Sequence, residues 1–188
     1  MRLSAPRIAP LTDAEMTDDQ REALAPMIQG GRPALNIFRT LARAPKALAR
    51  FNEWGSYVLS RRNSLPARER EIVILRVGFL CKSGYEFTQH TRIGLNEGLS
   101  ADEIARIKQG AGAGWSPAEA ALIRAADELV QDHFVSDATW AELSKHFDEK
   151  QRMDVVFTAG QYTQVSMFLN TFGVQLEPGA TLDPDLRA

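Results

Sequence analysis

Residues 65–100 read LPAREREIVILRVGFLCKSGYEFTQHTRIGLNEGLS, and the reading of this stretch decides the fold. Pro66 is a residue favoured at a helix start. After it, Ile72, Val73, Leu75, Val77, Phe79 and Leu80 nearly surround the helix axis, so the spacing predicts a buried helix rather than a surface one. Lys82-Ser83-Gly84 is a break, because Gly permits the backbone angles of a tight turn. A second helix is predicted from about residue 85 to 97 and stops at Gly98. Ser100 with Glu103 three residues on forms a capping box that opens a third.

The polar content of this hairpin suggests more than packing. Glu71 sits inside the apolar run of the first helix, and Glu86 and His90, four apart, share a face of the second. If the helices pack antiparallel, Glu71 and His90 approach each other across the interface. A carboxylate and an imidazole in a semi-apolar cleft suit proton transfer, because burial and a charged neighbour both move their pKa values. The competing reading pairs Glu71 with Arg68 or Arg70 at the surface and makes His90 structural. Spacing alone leaves both open.

Outward from the hairpin the chain reads as helices throughout. Residues 1–16, punctuated by Pro6 and Pro10, are expected to form an arm over the domain surface or onto a neighbouring subunit. A short helix follows at 17–28, interrupted by Pro26, and then a loop at Gly30-Gly31-Arg32-Pro33 that lacks the spacing of a phosphate-binding loop. Asn36 to Leu41 makes a short turn or helix, and Pro45 opens a helix to about residue 61 in which Trp54 and Tyr57 are read as core packing with a polar tip satisfied nearby, the alternative being that they line a pocket. Ser116, Ser136 and Asp148 cap three further helices, the last reaching residue 172 before Gly173 stops it. Residues 174–188 read as a tail without assigned structure. The expectation is an all-α fold, one domain over 1–188 with its core at about 45–110 and C-terminal helices at 116–173. The surplus of apolar helix suggests a homo-oligomer.

The 188 residues suffice for one packed domain. A formal charge of −2 offers no whole-chain attraction for nucleic acid or an anionic membrane. No apolar run reaches the roughly 20 residues of a membrane span, and the N-terminus lacks the apolar core of a secretory signal, so a cytoplasmic location is the default expectation. One cysteine, Cys81, excludes a disulfide framework or dithiol motif within the chain. Glu86 and His90 have helical ligand spacing, but there are only three histidines, and His133 and His146 fall on other predicted helices, so neither metal nor cofactor is expected.

LPAREREIVILRV, then YEFTQH, then GLSADEI together resemble the carboxymuconolactone decarboxylase family, which includes the alkyl hydroperoxidase D-like proteins. The resemblance is specific over about residues 45–110 and weaker in the C-terminal helices. It implies an alkyl hydroperoxidase D-like helical bundle that assembles into dimers, trimers or hexamers. The peroxidase branch carries a Glu on the first helix and Cys-x-x-Cys-x-x-x-His on the second. Glu71 and His90 match the outer members, while Ser83 and Glu86 stand at the cysteine positions. Dithiol peroxide reduction is therefore out of reach of a single chain. A peroxidase acting through Cys81 alone is one alternative, and a non-catalytic helical assembly is another. The branch without the cysteines implies acid–base handling of a small lactone or aromatic-derived acid. His90 would be the proton carrier, Glu71 its orienter and Glu86 a neighbour on the same face. Tyr85 could donate a hydrogen bond, and Arg76 or Arg39 could pair with a substrate carboxylate. Tyr162 and Asn170, polar in an apolar helix, are further candidates for the cleft.

Overall fold

The computed structural model describes residues 2–28 and 33–187. The glycine pair at 30–31, read from the sequence as loop, lies outside them. Among the described residues there are α-helices and two short 3-10 turns and no strand. The helices are α1 (Asp18–Leu24), α2 (Asn36–Leu41), α3 (Pro45–Leu59), α4 (Ala67–Leu80), α5 (Gly84–Asn96), α6 (Ala101–Gln109), α7 (Pro117–Gln131), α8 (Asp137–His146) and α9 (Glu149–Phe172).

Helix α4 is the axis of the molecule and packs against α5, α6, α7 and α9. Every residue from Arg70 to Gly78 is buried, as its apolar circumference requires. Ala120, Ala121, Ala125 and Ala126 on α7 are small, so that helix lies close against it. Ile72, Ile74, Leu75, Phe87, Ile107, Leu122 and Ile123 fill the core and are almost fully excluded from water. Each contributes about 1.5–3 kcal/mol through apolar burial.

The starts of the helices are set locally. Thr17, Ser100, Ser116 and Asp148 each accept from the backbone N–H three residues on, and Gln20, Glu103, Glu119 and Gln151 return the bond. Gly173 ends α9 at φ +70°, where only glycine is unstrained. A Cβ there would also stand 2.9 Å from the Ala5 carbonyl oxygen, because the N-terminal segment crosses at this point. Arg7 and Ile8 both donate backbone N–H groups to the Phe172 carbonyl. The arm therefore packs on its own chain, with Leu11 buried beside Leu24 and Leu48.

The tail is more ordered than its composition suggests. Val174 and Leu186 are buried, and Lys108 holds Asp183 and Asp185 at 2.8 and 2.7 Å. Glu177 accepts from the Asn36 backbone N–H and from the side chains of Tyr85 and Gln89. These contacts tie the segment after α9 to the starts of α2 and α5.

Candidate active site

Glycines let the two hairpin helices approach closely. A Cβ on Gly94 would meet Leu99 Cδ1 at 3.0 Å and Leu75 Cδ1 at 3.3 Å, and one on Gly78 would lie 3.5 Å from Glu86 Oε1. Across this interface His90 Nδ1 stands 2.7 Å from Glu71 Oε2. Glu71 is 1% exposed and His90 7%. A carboxylate can only accept, so Nδ1 carries the proton and neutral His90 keeps its Nε2 lone pair free. The charge on Glu71 also stabilises the imidazolium formed when Nε2 takes up a proton. The second Glu71 oxygen has no hydrogen-bond partner among the described residues.

Glu86, one turn before His90, is buried as well. One of its oxygens accepts from Ser166 Oγ at 3.1 Å, and the other has no partner among the described residues. Burial, reinforced by the charge of Glu71, pushes its carboxyl well above the usual range and favours the protonated form. The ring of Tyr162 meets His90 edge-on with centroids 4.8 Å apart. Burial, together with Glu71 and Glu86, raises the Tyr162 hydroxyl above its ordinary value and keeps it a donor.

His90 and Glu86 line a cavity of about 770 Å³ between α2, α3, α5 and α9. Its walls are mainly apolar, with Leu35, Ile37, Phe38, Phe51, Val165 and Leu169 among them. A few polar groups converge in it, the usual character of a small-molecule site.

The structure sorts the other residues named from the sequence. Tyr85 lines the cavity, but its hydroxyl already donates to Glu177; burial and that bond raise its pKa. Arg76 does not reach a substrate carboxylate: it donates to Asp127 and to the carbonyls of Ile107 and Lys108, fastening the end of α6. Arg39 is held by Asp13 and by the Leu11 and Ala34 carbonyls. Cys81 lies at the end of α4, outside the cavity lining, and burial, then the charge of Glu86, raises its thiol. Asn170 donates to the Cys81 carbonyl instead of facing the cavity. Trp54 is not core: it is 41% exposed and stacks on Tyr57, which packs against the core with its hydroxyl donating to Asp154.

Two lining residues escaped the sequence reading. Arg92 is an exposed cation at the cavity, with no ion pair or side-chain hydrogen bond among the described residues. Its signal was its place on α5 one turn after Gln89, which also lines the cavity. Gln161 precedes Tyr162 on α9 and is 5% exposed. A glutamine inside an apolar helix was the only hint of its place.

Residues 45–128, which carry this hairpin, match the profile of the Carboxymuconolactone decarboxylase family. This core belongs to that family. Solved structures share the family's helical fold at low identity, which bears on fold alone. One is the alkylhydroperoxidase AhpD core of an uncharacterized peroxidase-related protein from Ralstonia eutropha (TM-score 0.78, 19% identity, 91% of this chain and 93% of that one). A peroxidase-related protein from a Silicibacter species aligns with TM-score 0.75 at 13% identity, over 95% of this chain and 93% of its own. The debrominase Bmp8, as a cysteine-to-alanine variant in complex with 2,3,4-tribromopyrrole, aligns with TM-score 0.76 at 11% identity, over 93% and 94%. No curated protein matches the chain. At the positions where the family's peroxidase branch has its cysteines, Ser83 is fully buried and Glu86 is the buried carboxyl with the raised pKa described above.

Proposed function

We propose that this member of the family is a non-redox acid–base enzyme, performing a decarboxylation or related lyase step on a small lactone or aromatic-derived organic acid. The observation that carries the reading is the 2.7 Å Glu71–His90 contact beside a largely apolar cavity of about 770 Å³ whose lining contains no thiol. The substrate carboxylate is drawn to the rim by Arg92, and the apolar walls take the ring. Loss of carbon dioxide leaves its bonding pair on the substrate as an electron-rich carbon. His90 takes up a proton at Nε2 from solvent, with Glu71 as counter-ion to the imidazolium, and delivers it to that carbon. Glu86, whose burial favours its protonated form, is a second candidate proton source on the same wall.

A peroxidase reading is supported by the names of the structural neighbours but not by Cys81, whose raised pKa disfavours the reactive thiolate. A purely structural network would be expected to satisfy its own buried atoms, whereas Glu71 and Glu86 each leave an oxygen unpaired. A second copy of the chain would cover the exposed apolar faces of α3 and α9, where Trp54, Met153 and Val156 stand in water.

Turnover of a panel of carboxylated lactones, followed by carbon dioxide release, tests the proposal. His90→Ala and Glu71→Gln are expected to abolish it with an unchanged helical circular dichroism spectrum, and Cys81→Ser to retain it. Loss of activity in Cys81→Ser alone would transfer the chemistry to the thiol.

A further inference from the structure

Two side chains at the cavity are polar, buried and unused by the protein. Gln161 and Tyr162 are each 5% exposed, both line the cavity, and neither side chain has a hydrogen-bond partner among the described residues. Their polar atoms are left without a protein partner and open to the cavity, so two neighbouring ones offer hydrogen bonds to whatever occupies it. Gln161 Nε2 lies 3.7 Å from where a Cβ on Gly55 would stand, so the carboxamide reaches across to α3. The Tyr162 ring abuts His90, whose Nε2 remains free. Two uncharged groups able to donate hydrogen bonds therefore open on the same pocket as His90, one of them in contact with it.

We propose that Gln161 and Tyr162 form an oxygen clamp that holds the carbonyl or lactone oxygen conjugated to the reacting carbon, and so restrict the substrate to acids carrying such an oxygen. This rests on the acid–base reading of the site and names the group that reading left unassigned. In the step it serves, the bond from the reacting carbon to its carboxylate breaks and carbon dioxide leaves. The bonding pair moves into the conjugated system and onto the clamped oxygen, which becomes an enolate. The amide N–H and the phenolic O–H donate to that oxygen as its charge grows, which is where fixed donors lower a barrier most. His90, protonated at Nε2 from solvent before the step, gives that proton to carbon, the carbonyl re-forms, and the imidazole returns to its neutral form.

The clamp can be tested without turnover, using acetophenone, a neutral aryl ketone, as the probe. Isotope-edited infrared difference spectra should show the carbonyl stretch of the bound ketone at lower frequency than in hexane. Tyr162→Phe and Gln161→Met should each reverse part of that shift, and the double variant nearly all of it. Each should weaken binding by several-fold to about tenfold, the range of one neutral hydrogen bond. Gln161→Glu, isosteric and without the N–H donors, should reproduce Gln161→Met if the methionine variant folds poorly. His90→Ala should leave the shift in place, so an inactive but still shifted His90→Ala separates the clamp from the chemistry. An unshifted stretch in the wild type, a shift that survives in the double variant, or the absence of saturable ketone binding would each overturn the clamp. Activity retained in His90→Ala with the shift intact would overturn the acid–base reading and leave the clamp standing.

Discussion

Glu86 is the residue whose protonation most directly couples the site to stability. Burial raises its folded-state pKa above the ordinary 4.5, so the folded protein binds this proton more tightly than the unfolded chain does. The contribution is fully present below pH 4.5 and is lost as pH rises through the folded value. Glu86→Gln should therefore flatten the decline of melting temperature above that pH, while a variant elsewhere on the surface leaves the slope unchanged. Arg92 acts on binding instead. A charge-assisted hydrogen bond is worth about 1.5–3 kcal/mol, so Arg92→Gln should raise KM for a carboxylated substrate about tenfold or more with a smaller change in kcat. Steady-state kinetics at two salt concentrations check this, because the wild-type KM alone should rise with salt. Glu71 and His90 were legible as a candidate pair because both lie on one hairpin, 19 residues apart, and the antiparallel packing of its helices decides that they meet. Arg76 was misjudged because its partner Asp127 lies 51 residues away on α7, a pairing no local pattern reveals.

The helices are held in place by a few polar fastenings besides the core. Asp154 on α9 is fully buried and accepts from Tyr57, from the backbone and side chain of Ser64, and from Lys150. This clasps α3 and the turn before α4 to α9. These bonds outweigh the cost of its burial and hold its carboxyl below the usual 3.8. Its stabilisation is present above that pH and fades as pH falls through the lowered value. Asp154→Ala should cost on the order of 2 kcal/mol or more in urea denaturation, since it leaves several donors without their acceptor. Gly173→Ala should cost about 1–2 kcal/mol from the left-handed backbone angle alone. It should also speed hydrogen exchange at the Arg7 and Ile8 amides, because the added methyl pushes against the Ala5 carbonyl. Four helix starts, those of α1, α6, α7 and α9, needed no tertiary information: each capping box is closed by residues three apart.

For the whole molecule, no described helix is long and apolar enough to cross a membrane, and the exposed apolar surface instead concentrates on α3 and α9. If a second copy covers that face, Met153→Lys combined with Val156→Lys should lower the mass measured by light scattering while leaving the circular dichroism spectrum intact. An unchanged mass would place the interface elsewhere. The all-α architecture and the central place of α4 follow from apolar periodicity, which also puts Glu71 and His90 on helix faces that meet once the hairpin closes. These are short-range consequences of helix geometry, in which a residue's face is set by its position modulo the 3.6-residue turn. The cavity, the cation at its rim, the unpaired amide of Gln161 and the anchoring of the tail by Glu177 arise only when α2, α3, α5 and α9 come together. The Glu177–Asn36 contact spans 141 residues of chain. Such contacts depend on the relative placement of elements far apart in the chain, which is decided by how their side chains pack and not by any local repeat.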